Sequence, residues 1–279
     1  MIEFDRGAGG LPLIRMSAPQ ATATVCLQGA QVLACQLKGE ELLWLSPNAD
    51  YELGRAIRGG IPLCWPWFGA HPDQPGAPNH GYARTALWQV ATTETSSTRT
   101  FLQLKLEQAG GPYAIPDCAA TLSITLDEKL HLHLTTANRS KQPIRISQAF
   151  HTYLKVAQSD SVDIAALAGC RYLDKRHNMQ PNIQRGPRIP PAPIDRIYLQ
   201  PPSRVVIDDG SRRLRLESEG SGSTVVWNPG DEADALKDMS AEMAQHMLCV
   251  ETANAAEDSR TVPPHGTHTL GMTLSQDIE

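Results

Sequence analysis

The sequence predicts an all-β protein. Short segments alternate apolar and polar residues with a period of two, turn residues separate them, and only one segment has helical spacing. TATVCLQGAQVLACQL (22–37) breaks at Gly29, which predicts two short strands and a turn. TFLQLKLEQ (100–108) puts Leu102, Leu104 and Leu106 on one face and Phe101, Gln103, Lys105 and Glu107 on the other. ATLSITLDEKLHLHLTTANRS (120–140) repeats the pattern around a hairpin turn at Asp127, Glu128 and Lys129. PIRISQAFHTYLKV (143–156) reads as a strand pair or one long bent strand. RVVID (204–208) and RRLRLESEG (212–220) form a hairpin through Asp209, Gly210 and Ser211. TVVWNP (224–229) and MLCVET (247–252) are late, buried strands, and THTLGMTLSQ (267–276) closes the chain.

The helical exception is DEADALKDMSAEMAQHM (231–247). It brings Ala235, Leu236, Met239, Met243 and Met247 near one face, with Asp231 and Glu232 where a helix dipole favours negative charge. The methionine stripe is expected to be core packing, since Met fills irregular gaps. Two stretches resist regular structure. Residues 58–80 carry Pro62, Pro66, Pro72, Pro75 and Pro78, and residues 181–202 carry seven prolines. Proline cannot donate to a β ladder, so both are expected to be ordered loops or edge segments, not central strands. Trp65, Trp67 and Phe68 argue that the first of them packs. With no repeat, composition break or flexible linker, residues 1–279 are expected to form one domain.

A chain of 279 residues, 41% hydrophobic, can bury a core without disulfide or metal staples. A net charge of −5 and a pI near 6.0 argue against a nucleic-acid binder. No apolar run is long enough for a membrane helix, and the acidic, glycine-rich start is unlike a signal peptide. The six cysteines form no CxxC pair and several lie in apolar runs, so reduced thiols and a cytoplasmic location are expected.

Several stretches could carry chemistry. There is no P-loop, GxGxxG or HExxH. HLH (131–133) puts two imidazoles on one strand face but lacks a third ligand, so a solvated face is the expectation. His265 and His268, beside Pro263, Pro264 and Gly266, are expected in a surface turn. In RGGIPLCWPWFG (58–69), Arg58 stands against Gly59 and Gly60. Such a pair allows close backbone approach to an anion, or serves a turn that needs positive φ. NHGYAR (79–84) repeats the theme with Asn79, His80, Gly81 and Arg84. In SQAFHTYLKV the period of two groups Ser147, Ala149, His151, Tyr153 and Lys155 on the more polar face. The run MLCVE ends on Glu251, and a partly desolvated carboxylate at a strand mouth suits a general base. Asp195, in IDRIY, alone would be read as a surface partner of Arg196.

Taken in order, RGGIP, HGYAR, FHTYLKV, IDRIY, VWNP and CVET resemble the hexose-6-phosphate mutarotases, the phosphosugar branch of the aldose 1-epimerase family. The resemblance runs from about residue 20 to 275. It implies a galactose-mutarotase-like β-supersandwich of large antiparallel sheets with the sugar in an open groove. It implies His151 as general acid and Glu251 as general base. It also implies substrate contacts from Arg58, Asn79, Arg84 and Asp195, with His80 supporting the sugar ring. Relatives often carry Gln where this chain has Asn79.

The residue chemistry agrees. Anomer exchange needs a base for the C1 hydroxyl proton and an acid for the ring oxygen. A carboxylate and a protonated imidazole, on opposite sides of that oxygen, are the minimum, each typically contributing about 10²–10⁴-fold. Asp195 would anchor ring hydroxyls, Arg58 with Arg84 would bind the 6-phosphate, and Trp65 or Trp67 would stack on the sugar or join the core. No cofactor or metal is expected. The expected partner is a small sugar phosphate, with no nucleic acid or membrane. Oligomeric state is open in the sequence, and a monomer is the working expectation. Two rivals stand beside this reading: an aldose 1-epimerase for free hexoses, which would not need the arginine pair, and a noncatalytic sugar-phosphate binder, which would not need His151 with Glu251.

Overall fold

Alternating leucines build one layer of the molecule. In the computed structural model, which describes residues 1–107 and 109–277, strands Thr100–Leu106, Cys118–Leu126, Leu130–Asn138 and Thr267–Gln276 share an antiparallel sheet. Leu102, Leu104, Leu122, Ile124, Leu132, Leu134, Leu270 and Leu274 are fully buried on its inner face. Arg213–Glu219 and Arg204–Asp208 extend this sheet at one edge and Gln89–Thr95 at the other. Both expected hairpins are present, their turns closed by Asp127 accepting from the Lys129 N–H and Asp209 from the Ser211 N–H. Gln108, the last residue of the expected 100–108 segment, lies outside the described residues.

A second, eight-stranded sheet holds the late buried strands. Its path runs Gln180–Ile183, Arg171–Asp174, Ile194–Leu199, Ser223–Asn228, Met247–Asn254, Gln148–Phe150 and Leu63–Cys64, with Tyr153–Lys155 pairing on Met247–Asn254. A five-stranded sheet covers Ile2–Arg6 through Glu40–Glu41, and a small one joins Ile144–Ile146 to Arg260–Val262. One apolar cluster draws Ile14 and Val25, Leu104 and Leu132, and Phe150 and Val250 from the three large sheets. Among the described residues, every strand pairing is antiparallel, as expected for sheets packed face to face.

The chain departs from the sequence expectations at four places. The helix over 231–247 is broken. A 3₁₀ turn, Gly230–Ala235, and a single α turn, Ala241–Ala244, flank an extended Leu236. The break frees Asp238, whose carbonyl takes the Ser46 hydroxyl at 2.5 Å and whose carboxylate takes Arg58 at 3.1 Å. The stripe is still core: Met239 and Met247 are buried, with Leu236 and Met243 packed against them, while Ala235 is exposed. Residues 143–156 form three short strands, not two, because Ser147 and the His151–Thr152 pair interrupt them. Within 181–202, Ile194–Leu199 is a central strand, its prolines lying before and after it. Pro181 sits on the edge strand Gln180–Ile183, as proline must. His268 lies in strand Thr267–Gln276, not in a turn, and its Nε2 lies 2.9 Å from Asn254 Oδ1.

Gly59 and Gly60 serve packing. Both have positive φ, and a Cβ would lie 2.6 Å from the backbone at Leu45 or 2.2 Å from the Val32 carbonyl. Gly60→Ala should therefore cost at least about 2 kcal/mol, from backbone strain and displaced chain together. Denaturant midpoints check this; a shift worth under about 0.5 kcal/mol would show that the turn relaxes freely.

Candidate active site

A wholly buried strand supplies the first group. All eight residues of Met247–Asn254 are buried, because the strand has neighbours on both sides within its sheet. Glu251, 1% exposed, sits opposite Val225. Next to it the chain breaks between Gln148–Phe150 and Tyr153–Lys155. The His151 N–H donates to the Pro62 carbonyl at 3.0 Å, and the Val250 N–H donates to the Thr152 carbonyl at 3.1 Å. His151, 8% exposed, brings Nδ1 to 3.5 Å from Glu251 Oε1. That distance is at the outer limit of a hydrogen bond. Among the described residues, His151 Nδ1 and Glu251 Oε2 have no hydrogen-bond partner. The two groups are therefore neighbours, not residues facing each other across a gap.

Aromatic rings hold the imidazole. Tyr153 stacks on His151 at 4.8 Å and 11°, Trp227 meets both edge-on, and His80 meets His151 edge-on at 5.7 Å. His80 Nδ1 accepts the Gly69 N–H at 3.3 Å and lies 3.2 Å from Cys64 Sγ. A ring nitrogen that accepts an N–H carries no proton, so the His80 proton resides on Nε2. Burial, helped by Arg84, Lys175 and Arg58, holds His80 down at about 3, so it is neutral at physiological pH.

Burial also pushes the Glu251 carboxyl well above its usual range. Lys175 and Arg84 oppose that rise and Asp195 adds to it. His151 moves the other way, driven first by burial, then by His80, Arg84, Arg58 and Lys175. Burial thus disfavours the charged form of each group. The two titrate as a coupled unit. A bell-shaped kcat/KM profile is expected, its two limbs belonging to the coupled His151–Glu251 pair. Burial displaces both limbs from the ordinary carboxylate and imidazole values, about 4.3 and 6.5. Initial rates from pH 4 to 10, on a sugar without a titrating phosphate as well as on a phosphosugar, measure it. Limbs at the ordinary values would show the pair unperturbed. A His151→Asn variant should lose one limb together with most of its rate.

Four charged groups ring the pair. Arg58 Nε donates to Asp238 at 3.1 Å and Nη1 to the Tyr153 hydroxyl at 3.2 Å. Arg84 donates to the Asn79 carbonyl at 2.8 Å, and among the described residues it meets no carboxylate. Lys175 Nζ donates to Asp195 Oδ2 at 2.7 Å, while Asp195 Oδ1 is buried with no partner among the described residues. Asp195 comes from the central strand Ile194–Leu199, so its side chain is half-buried, not a surface partner of Arg196. Asn79 is exposed at the rim and reaches the others through its carbonyl.

His151, Glu251, His80, Arg58, Arg84, Asn79 and Asp195 therefore converge on one region from five segments of the chain. Trp65 and Trp67 do not join them. Both are core, their indole N–H groups held by Thr136 and the Pro78 carbonyl. The half-buried aromatics at the site are Trp227 and Phe68. Sequence reasoning missed Lys175, Tyr153, Trp227 and Asp238 as site residues. For Tyr153 a signal was available, since it shares the two-residue period of His151. Lys175 and Asp238 had none, since each lies in a turn among other charged residues with no pattern that singles it out.

The fold is an antiparallel β sandwich in which a buried carboxylate and a buried imidazole stand 3.5 Å apart with arginine and lysine side chains nearby. The comparisons give that fold a family: the chain belongs to the aldose 1-epimerase family, whose model matches residues 12–275. It is 32% identical over 265 residues to an Escherichia coli K12 protein provisionally named glucose-6-phosphate 1-epimerase, spanning 92% of this chain and 88% of that one. A Salmonella typhimurium crystal structure, provisionally titled a mutarotase, superposes with a TM-score of 0.91 at 27% identity, covering 100% of this chain and 94% of its own. A galactose mutarotase-like protein from Clostridium acetobutylicum shares the fold, with a TM-score of 0.77 at 16% identity and coverage of 100% and 99%. The chain is thus an isomerase of the mutarotase kind with the expected galactose-mutarotase-like fold.

Proposed function

We propose that this protein interconverts the α and β anomers of a hexose 6-phosphate by acid/base ring opening and closure. The observation that carries the reading is the adjacency of Glu251 and His151, 3.5 Å apart, beside Arg84, a cation with no carboxylate partner among the described residues. The C1 hydroxyl and the ring oxygen are bonded to one carbon, so neighbouring acid and base can serve both. Glu251 takes the hydroxyl proton as His151 protonates the ring oxygen, and the ring opens to the aldehyde. Rotation about C1–C2 turns the other carbonyl face toward the ring hydroxyl. Closure then returns the proton from Glu251 to O1 and a proton to His151. Since Nδ1 of His151 faces Glu251, Nε2 is the nitrogen for the ring oxygen. Neutral His80 offers an Nε2–H to a sugar oxygen, and Asp195 Oδ1 accepts from a ring hydroxyl.

The phosphate sets the substrate class. The protein is acidic overall, so a dianion must be drawn by a local cluster, not the net field. Arg84 is open to it as it stands, and Arg58 reaches it by exchanging Asp238 for phosphate. The names of the relatives point the same way. Polarimetry or NMR on freshly dissolved α-glucose 6-phosphate, with catalytic protein and the spontaneous rate subtracted, tests the reading. Free glucose turned over as well as its 6-phosphate would move the assignment to a free-hexose epimerase. Binding without acceleration would make the protein a sugar-phosphate binder.

A further inference from the structure

The tip of one hairpin hangs over the site and carries a lysine that no motif marked. Lys175 opens the 3₁₀ turn Lys175–His177 between strands Arg171–Asp174 and Gln180–Ile183, with Asp174 capping the turn by accepting the Arg176 N–H. Asp174 pairs with Arg196 in the next strand, which sets the turn beside Asp195. Lys175 Nζ donates to Asp195 at 2.7 Å and lies 5.4 Å above the Phe68 ring, with its side chain 30% exposed.

The groups around Glu251 are His151, Tyr153, Cys64, Cys249, Asp195, Lys175 and Arg84, with His80 and Arg58 behind them. Two of these, Lys175 and Arg84, are the cations that most directly offset the carboxylate's burial. On the reading above, Arg84 holds the phosphate, and a bound dianion cancels its charge. Arg58 is balanced by Asp238 at rest and, on that reading, by the phosphate in the complex. Lys175 is then the positive charge left beside Glu251 in the complex.

We propose that Lys175 is a positioning residue: its ammonium group clamps Asp195 with one oxygen free for the sugar hydroxyls, and supplies the positive charge that keeps Glu251 competent as a base once phosphate is bound. This rests on the assignment of Glu251 as base in a hexose 6-phosphate mutarotase.

The test compares Lys175→Met and Lys175→Arg with wild type on glucose 6-phosphate across pH, in the full chain. Methionine keeps the length and the contact with Phe68 but removes the charge. A cation disfavours a proton on either Glu251 or His151, so its loss should move both limbs of the kcat/KM profile up, by about half a unit or more. The rate near neutrality should fall roughly tenfold and KM should rise, as Asp195 loses its clamp. Arginine keeps the charge, so the limbs should stay put while KM changes. A merely structural lysine would lower the amplitude and leave both limbs in place. Wild-type limbs and a kcat/KM within about twofold in Lys175→Met would overturn the proposal, as would equal limb shifts in both variants. Should the methionine variant fail to fold by circular dichroism, Lys175→Gln carries the same comparison. Wild-type protein inactive on every hexose 6-phosphate would instead sink the underlying assignment, a result visible before any variant is made.

Discussion

Glu251→Gln should lower turnover by at least about a hundredfold while leaving sugar-phosphate binding nearly intact. The amide keeps the shape of the side chain and loses its basicity. The strand Met247–Asn254 is buried at every residue, and Glu251 lies beside no other carboxyl-bearing residue of its own strand. No neighbour on that strand can take over its proton. Product-inhibition or calorimetric binding, measured with the rate, separates lost chemistry from lost affinity. A variant retaining more than roughly a tenth of the wild-type rate would remove Glu251 from the role of base. Stability should move the other way. Burial raises the proton affinity of folded Glu251 above that of the unfolded chain. The protonated form is therefore the one the fold favours. Wild type loses stability as pH rises from the ordinary carboxylate range through the raised folded value, and the glutamine variant does not. Melting temperatures at pH 5 and pH 8 should diverge accordingly.

Arg84→Ala should lower kcat/KM for a hexose 6-phosphate by about 10–100-fold and barely affect the slower reaction of the free hexose. Charge-assisted contacts to phosphate are commonly worth about 1.5–3 kcal/mol, and each 1.4 kcal/mol is a decade. Part of the loss can appear in kcat, since remote binding energy helps place the reacting centre. In the sequence the two glycine-adjacent arginines look equivalent. In the structure they are not. Among the described residues the Arg84 side chain donates to a carbonyl and to no carboxylate, whereas Arg58 is tied to Asp238 and braces the Tyr153 ring that stacks on His151. Arg58→Ala should therefore impair both substrates. Rates for both variants on both sugars at one ionic strength decide this, because salt screens exposed charge. Equal losses on the two sugars in Arg84→Ala would deny it a phosphate role.

The sequence by itself determined the all-β class, the two hairpins, the buried late strands and the groups with catalytic chemistry. Those features depend on local periodicity, on turn residues and on residue type, all of which survive in a linear string. The alternation of Leu102, Leu104 and Leu106 was enough to assign an inner face, and burial of that face follows from the hydrophobic effect alone. Only the tertiary structure decided how His151, Glu251, Arg58, Arg84 and Asp195 meet, because they lie up to 193 residues apart and their approach depends on sheet order and register. It also broke the expected helix at Leu236, where helical periodicity was overridden by the contacts of Asp238 with Ser46 and Arg58. Lys175 shows the same limit. One lysine in a run of charged turn residues carries no periodic signal, and its partner Asp195 lies on a different strand. Which groups share an electrostatic environment is set by distances through space, and the order of residues along the chain does not contain them.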